Sequence, residues 1–210
     1  MTEEARTEAL SQLIYKCAKE AFLELFKNKE HYYNCVLLAP AEGYAPILSA
    51  WSYEALDREI PKHPKEEIWL YKWNFADSPY YAFGEEYFKP VQSLLDTYPS
   101  IFDMEDEDEI EREFELRVSA MVQAMQKLDQ EGIFSINQPR EQVYINVECI
   151  PNDNSDVDRA LLLNEAKNIQ EWLKDNPKVE GELIYGIYPI RLKQTLRLFS
   201  LEDRNIFRNK

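Results

Sequence analysis

An apolar run over residues 32–39 is the sequence feature that most constrains the fold. In a β-strand, alternate side chains lie on opposite faces of the sheet. Here both alternating sets are largely apolar, one being Tyr33, Cys35, Leu37 and Ala39 and the other Tyr32, Asn34, Val36 and Leu38. Such a pattern is typical of an inner strand covered on both sides. The sequence therefore predicts a sheet with this run at its centre and with other elements packed on both faces.

Several segments have the three-four spacing of apolar residues that marks an amphipathic helix. The clearest covers residues 2–27, and a second covers 103–132 and ends at Gly132. Ser52 is a candidate N-cap for a helix over 53–60. A further helix is predicted within 87–98, and another over 155–175, where Ser155 and Asp158 resemble a capping box.

Aromatic and β-branched runs predict further strands over residues 67–75, 142–150 and 183–187. Residues 190–199 fit both the helix and the strand period, so their conformation stays open. These elements predict a mixed α/β (α+β) fold in a single domain, residues 1–210, in which 181–210 form a C-terminal extension of undecided conformation. We expect a central sheet of about four strands, largely antiparallel, packed by amphipathic helices.

Charge narrows the classes of partner. The chain has 24 Lys and Arg against 39 Asp and Glu, a formal net charge of -15. A nucleic-acid backbone or an anionic membrane repels such a surface, whereas a basic protein is attracted. The three cysteines lie among apolar residues and read as reduced core thiols, and we see no signal peptide or apolar run of membrane-spanning length. We therefore expect a cytoplasmic protein with a basic protein partner.

No catalytic, metal or cofactor signature is present in the sequence. The two histidines, His31 and His63, have no second ligand at zinc spacing, and the five glycines never cluster as a phosphate-binding loop requires. Residues 152–158, NDNSDVD, have alternating oxygen ligands but lack the glycine and the downstream glutamate of a calcium loop. We predict no catalytic residue, no metal and no cofactor.

Two sets of side chains are candidates for partner binding. Eight acidic residues fall within residues 103–113, and such a block either starts a solvated helix or docks a basic partner. The second set is aromatic and lies in a loop that contains Pro79, where complete burial is harder. The predicted partner-binding residues are Asp103, Glu105, Asp106, Glu107, Asp108, Glu109, Tyr80 and Tyr81.

A rival hypothesis places a small-ligand or enzyme site beside the turn at Glu42 and Gly43. There the end of an inner strand could present Glu42, Tyr44 and Trp51 around a cleft. A purely structural subunit is a third possibility, for which a stable homodimer would be the sign.

The order of these features resembles an uncharacterised bacterial family, domain of unknown function 4303. The resemblance rests on the helix-then-strand opening, the Glu42-Gly43 turn followed by a helix with Glu54 and Leu56, the run LDQEGIF at 128–134, and the strand region at 140–153. It covers residues 1 to about 173. It brings no established activity and no catalytic residues. Proteins of this kind are similar in scale and acidity to immunity proteins encoded beside bacterial toxins, so we expect an immunity-type inhibitor of a cationic toxin domain rather than an enzyme.

Overall fold

The apolar run forms the central strand of a three-stranded sheet. The computed structural model describes residues 2–62, 71–153 and 155–175. Strand β1 (Tyr32–Pro40) is buried along its whole length. It lies between β2 (Ile47–Ser52), which is antiparallel to it, and β3 (Tyr144–Ile150), which is parallel. The prediction of an inner strand is confirmed.

Six helices accompany the sheet within the described residues. Three of them have side-chain N-caps: Thr2 accepts a hydrogen bond from the Ala5 amide, Ser52 from Ala55, and Asp106 from two amides. The helices are α1 (Glu3–Leu25), α2 (Tyr53–Glu59), α3 (Lys89–Leu95), α4 (Glu107–Gln130), α5 (Asp156–Leu163) and α6 (Gln170–Asp175). None of them is long and apolar enough to cross a membrane.

One face of the sheet, which we call the helix face, is covered by α1 and α4. These helices lie side by side and run in the same direction, because Arg6 contacts Glu113 near their starts and Tyr15 contacts Glu131 further along. The strand residues on the helix face are apolar and buried: Cys35, Leu37, Ala39, Ile145, Val147 and Cys149. The main hydrophobic core lies here.

The opposite face, which we call the aromatic face, is covered by large rings. The ring of Trp73 lies 5.3 Å from that of Tyr33 and 5.8 Å from that of Tyr144, and Tyr144 stacks on Trp172 at 4.7 Å. Val36 and Leu38 of β1 pack beneath these rings.

Side chains close the outer edge of β3. The Asn164 amide bonds both the N–H and the carbonyl of Ile145, at 3.1 and 2.7 Å. Arg140 donates to the Val143 carbonyl and Arg159 to the Val147 carbonyl. These groups take the place that a further strand would occupy.

The sheet differs from the predicted one in strand number and direction. Among the described residues it has three strands rather than about four, and one of its two pairings is parallel. A parallel pair needs a long connection, and the chain between β2 and β3, which includes α4, supplies it.

Residues 71–75 are not the predicted strand. Tyr71 and Lys72 are helical, and a 3-10 helix begins at Phe75. The aromatic residues of this segment cover the sheet face instead of extending the sheet, since the Tyr33 hydroxyl donates to the Lys72 carbonyl at 2.6 Å. Residues 67–70 lie outside the described residues.

The predicted helix over 155–175 is broken at Asn164, where the backbone is extended with φ -134° and ψ 151°. The break has a cause, because the Asn164 side chain must face β3 to bond Ile145. The Ser155 side chain makes no capping bond, so the capping-box prediction is wrong. The predictions for residues 183–187 and 190–199 fall outside the described residues.

Candidate functional site

The predicted acidic surface lies where α1 and α4 begin. Because the two helices are parallel, their N-termini share one end of the molecule, and each first turn carries carboxylates. All but one of these residues are exposed, and Glu107 is half-buried. We call this surface the acidic pole, and it consists of Glu3, Glu4, Asp103, Glu105, Asp106, Glu107, Asp108 and Glu109.

A buried ion network lies under the acidic pole. Glu113 and Arg117 are each only 4% exposed, and Glu113 accepts hydrogen bonds from Arg6 at 2.7 Å and Arg117 at 3.0 Å. Burial lowers the pKa of Arg117, although the Glu113 carboxylate opposes the shift. Glu113, the last acid of the block, therefore belongs to the interior and not to the pole.

The same network fixes the turn that follows β1. Arg117 donates to the carbonyls of Gly43 and Pro99. Gly43 has a φ of +74°, and a Cβ atom there would lie 2.2 Å from Arg117 Nη1. Only glycine fits both the left-handed backbone and the close approach of the guanidinium.

Tyr80 and Tyr81 are not part of the acidic pole. The Tyr80 hydroxyl donates to Glu30 at 2.7 Å and accepts from Asn28, which follows the C-terminal end of α1. The 23 residues of α1 span about 34 Å, so the pole and Tyr80 lie far apart. Tyr81 is exposed, and its ring stacks on Phe75 at 6.4 Å.

The structure separates the residues of the rival site. Glu42 and Tyr44 share the turn before β2, where Tyr44 is 42% exposed and its ring lies 6.2 Å from that of Phe102. Trp51 lies at the other end of β2 and is buried. Its Nε1 donates to the Asn74 carbonyl at 2.8 Å. Trp51 therefore cannot form a cleft with the other two.

The aromatic face contains a polar group of residues that the sequence analysis missed. In the parallel register, Asn34 pairs with Tyr144, Val36 with Asn146 and Leu38 with Glu148. Paired residues share a face, so Asn34, Asn146 and Glu148 follow one another along the same side of the sheet. We call these three residues the polar strip.

Hydrogen bonding in the polar strip is incomplete. Asn146 Nδ2 donates to the Tyr144 hydroxyl at 2.7 Å and to the Asp156 carbonyl at 3.1 Å. The Tyr144 hydroxyl donates to Glu148 Oε1 at a long 3.4 Å. The Oδ1 atoms of Asn34 and Asn146 are buried and accept no hydrogen bond from the part of the chain that the structure describes. A buried acceptor left without a donor costs about 1–3 kcal/mol, and such atoms call for an explanation.

Burial and an acidic neighbour raise the pKa of Glu148, the titratable residue of the strip. Burial and the nearby Asp156 carboxylate raise the pKa of Glu148 to about 8. Burial also raises the pKa of Asp156 to about 6, although Arg159 opposes it. Burial acts against ionisation of Asp153 as well, but two hydrogen bonds from Arg159 hold its pKa below the usual value. Of these three carboxyls, Glu148 alone has no ion pair with a described residue.

The loop with calcium-like spacing uses its acids to bind Arg159 instead. Asp153 and Asp156 lie 2.7 and 2.5 Å from Arg159 Nη2. Within the described residues, no group of three His, Cys, Asp or Glu could hold a metal ion. His31 Nδ1 lies 2.6 Å from Glu54, and His63 is outside the described residues.

One signal in the sequence could have revealed the polar strip. Asn34 interrupts the most apolar strand, and Asn146 and Glu148 are the alternate residues of the strand at 142–150. The other alternate set of that strand is apolar and gives the stronger strand signal. A polar residue in a predicted inner strand is itself the signal, because burying it is costly.

Comparison with known proteins gives one match. The family model described as "Domain of unknown function (DUF4303)" matches residues 14–165. This range contains all three strands, Arg117 and the whole polar strip. No curated protein and no solved structure matches the chain.

Proposed function

The chain belongs to the DUF4303 family, and from that premise we propose that it is a protein-interaction module, an immunity-type inhibitor that binds a basic protein partner through the acidic pole. The partner that fits best is a cationic toxin domain. The observation that carries the proposal is the convergence of acidic residues from two separate parts of the sequence on one exposed end of the molecule.

The charge of the pole exceeds what the helices neutralise. Each helix N-terminus carries the equivalent of about half a positive charge, so two of them offset about one unit. The acidic pole holds eight carboxylates, and Asp103, Glu107 and Asp108 among them take part in further interactions. The other five still exceed that offset. The remaining field attracts a cationic surface and accelerates its association.

The buried network supports the pole as a rigid base. Arg6 and Arg117 hold α1, α4 and the Gly43 turn together through Glu113 and the Gly43 carbonyl. A preformed surface loses less conformational entropy on binding.

Co-purification tests the proposal. We would express the chain with each protein encoded by its neighbouring genes and measure how binding depends on salt. We expect a partner whose affinity falls about tenfold or more between 50 and 500 mM salt, since exposed charges are screened. If no neighbour co-purifies, or if salt leaves the affinity unchanged, the proposal is wrong.

A matched pair of variants locates the contact. Glu105→Lys with Glu109→Lys reverses two charges in the pole, and Glu85→Lys with Glu86→Lys reverses two exposed charges elsewhere. Both variants have the same net charge. We expect the first to weaken binding about tenfold and the second to change it little. Equal effects would show that net charge alone is responsible.

The proposal includes a cytoplasmic location. Its support is that Cys17, Cys35 and Cys149 are free thiols buried in the core, as expected in a reducing compartment.

An enzyme or small-ligand site at the Glu42-Gly43-Tyr44 turn is the alternative proposal. The exposure of Tyr44 beside Glu42 supports it. The test is Tyr44→Ala, which should abolish the binding of a small ligand found by screening and leave the binding of a basic partner unchanged. A ligand that binds this variant normally would contradict the alternative.

A further inference from the structure

We propose that the polar strip binds a small organic cation that carries N–H donors, a primary ammonium or a guanidinium group. The strip lies on the aromatic face, whereas the acidic pole lies on helices that cover the helix face. This inference therefore goes beyond the proposed function and does not depend on it.

The unpaired oxygens of the strip require a donor. The orientation of the Asn146 amide is fixed, because exchanging its nitrogen and oxygen would place two acceptors, Oδ1 and the Asp156 carbonyl, against each other. Its Oδ1 therefore remains an acceptor without a partner, as does Oδ1 of Asn34. Asn34 and Asn146 are 2% and 0% exposed, so bulk water does not supply the donor.

The two asparagines are close enough to share one guest. They lie on adjacent strands, offset by two residues in the register. Strand spacing and rise place their Cα atoms about 8 Å apart. At that separation, one donor group lying between the two side chains can reach both oxygens.

Glu148 distinguishes a cation from a water molecule. The residue is half-buried, and among the described residues its carboxyl accepts the long bond from Tyr144 alone. Among the described residues, Arg159 is the cation that acts on Glu148, and it is already bonded to Asp153, Asp156 and the Val147 carbonyl. Lys72, which lies over the Trp73 ring, is bonded to Glu171 and Asp175. A guest with a positive charge would supply the ion pair that Glu148 lacks.

The rings beside the strip suit the same guest. Tyr144 lies between Trp73 and Trp172, and its hydroxyl reaches both Asn146 and Glu148. Aromatic faces attract ammonium and guanidinium groups. Oxygen acceptors, a carboxyl and aromatic rings together select an organic cation with hydrogen-bond donors.

Binding would also displace a proton from Glu148. The charged groups around this carboxyl are Asp156 and Arg159 of α5 and Asp153 of the preceding loop, and Tyr144 faces it from the same strand. A cation stabilises the ionised carboxylate, so the affinity should rise about tenfold between pH 7 and pH 9 as the binding-competent form becomes the major one.

Calorimetry on the full chain tests the proposal with named probes. We would titrate cadaverine, a diamine, and agmatine, which carries a guanidinium group, and use tetramethylammonium as a cation without N–H donors. We expect one-to-one binding of cadaverine, agmatine or both, much weaker binding of tetramethylammonium, and proton release at pH 7, detected by comparing two buffers.

Two variants and one control locate the site. Glu148→Gln keeps the shape of the side chain but removes its charge and should weaken binding at least tenfold. Asn34→Leu removes one unpaired oxygen and should weaken binding about fivefold without lowering the thermal midpoint. Glu141→Gln changes an exposed acid and should have no effect. If Glu148→Gln fails to fold, Asn34→Leu decides the result.

Three outcomes would overturn the proposal. They are that neither amine binds, that tetramethylammonium binds as well as the amines do, or that both strip variants bind the amines normally. In the first case, a water molecule between the asparagines in a high-resolution crystal structure would be the donor to the two unpaired oxygens. The variant that combines Glu105→Lys with Glu109→Lys should bind the amines normally. A loss of amine binding at the strip can therefore be distinguished from a loss of partner binding at the acidic pole.

The same probes identify the source of the donor group. If saturating cadaverine displaces a basic protein partner, the donor is a lysine or arginine side chain of that partner. If both bind at once, the donor is a free amine.

Discussion

The two faces of the sheet are both buried, but their chemistry differs. Residues Cys35, Leu37 and Ala39 of β1 face α1 and α4 and form an apolar core. The residues that alternate with them face aromatic rings and include Asn34, whose side-chain oxygen is unpaired. Burial alone therefore does not distinguish a structural face from a functional one. The completeness of hydrogen bonding separates the two faces, because an unpaired buried acceptor reduces stability.

The largest effect should follow from placing an amide on the helix face. Leu37 is fully buried, and Leu37→Asn removes apolar contacts and buries a polar group without a partner. We expect a loss of about 4 kcal/mol in the free energy of unfolding, measured by urea denaturation. Leu162→Asn is the control, since Leu162 is 61% exposed, and should change stability by less than about 0.5 kcal/mol. A loss below about 1 kcal/mol for Leu37→Asn would mean that the faces tolerate amides equally.

A substitution at the outer edge of β3 should cause the next largest loss of stability. Asn164→Ala leaves the N–H and carbonyl of Ile145 without their partner. We expect a loss of about 2–3 kcal/mol and faster hydrogen exchange of the Ile145 amide. Asn168→Ala, at a half-buried position four residues later, should cost little. Unchanged exchange at Ile145 would contradict the role of Asn164 as a substitute for a strand.

The dependence of stability on pH should separate the two faces further. Burial raises the pKa of Glu148 to about 8 in the folded chain, whereas the unfolded chain releases this proton near the usual glutamate pKa of 4.5. Between these values the folded state binds more protons, so stability falls as the pH rises. Relative to Glu148→Gln, we expect the wild type to lose about 2 kcal/mol between pH 6 and pH 9, measured by denaturation at each pH. Parallel curves for the two proteins would show that Glu148 titrates normally.

The smallest effect should have the opposite sign. Asn34→Leu replaces an unpaired amide by an apolar side chain of similar size and should stabilise the chain by about 1 kcal/mol in the same urea experiment. Ser49→Ala is its control on the neighbouring strand, because the Ser49 hydroxyl donates to the Phe75 carbonyl at 3.0 Å. That change should destabilise by about 1 kcal/mol. Destabilisation by both would mean that Asn34 has a structural partner.

Much of the framework could be predicted from periodicity. Helices α1 and α4, strands β1 and β3 and the Ser52 cap all lie where the spacing of apolar residues and the capping chemistry indicate. These signals are local, because the spacing of apolar residues reflects which side of one helix or strand is buried.

Features that depend on long-range partners could not be predicted. The break at Asn164 exists because its side chain bonds a strand some twenty residues earlier. The parallel pairing of β1 and β3 joins segments about a hundred residues apart. The aromatic segment before Phe75 has the composition of a strand but covers the sheet. In each case a tertiary contact overrides the local preference.

The candidate site also has one part that the local sequence predicts and another that depends on long-range contacts. The acidic block is visible in the sequence, but only the parallel packing of α1 and α4 adds Glu3 and Glu4 to it and removes Glu113, which is buried against Arg117. The polar strip requires the register of two strands, which single-sequence periodicity does not provide.

The side chains along the two outer strands also affect how the protein behaves at high concentration. Ser78 caps the Ala50 carbonyl of β2, and Arg140, Arg159 and Asn164 cap β3. An unpaired strand edge can pair with another copy and begin aggregation. These bonds occupy backbone groups that the strand edge of another copy would otherwise pair with, so they oppose edge-to-edge association at these positions.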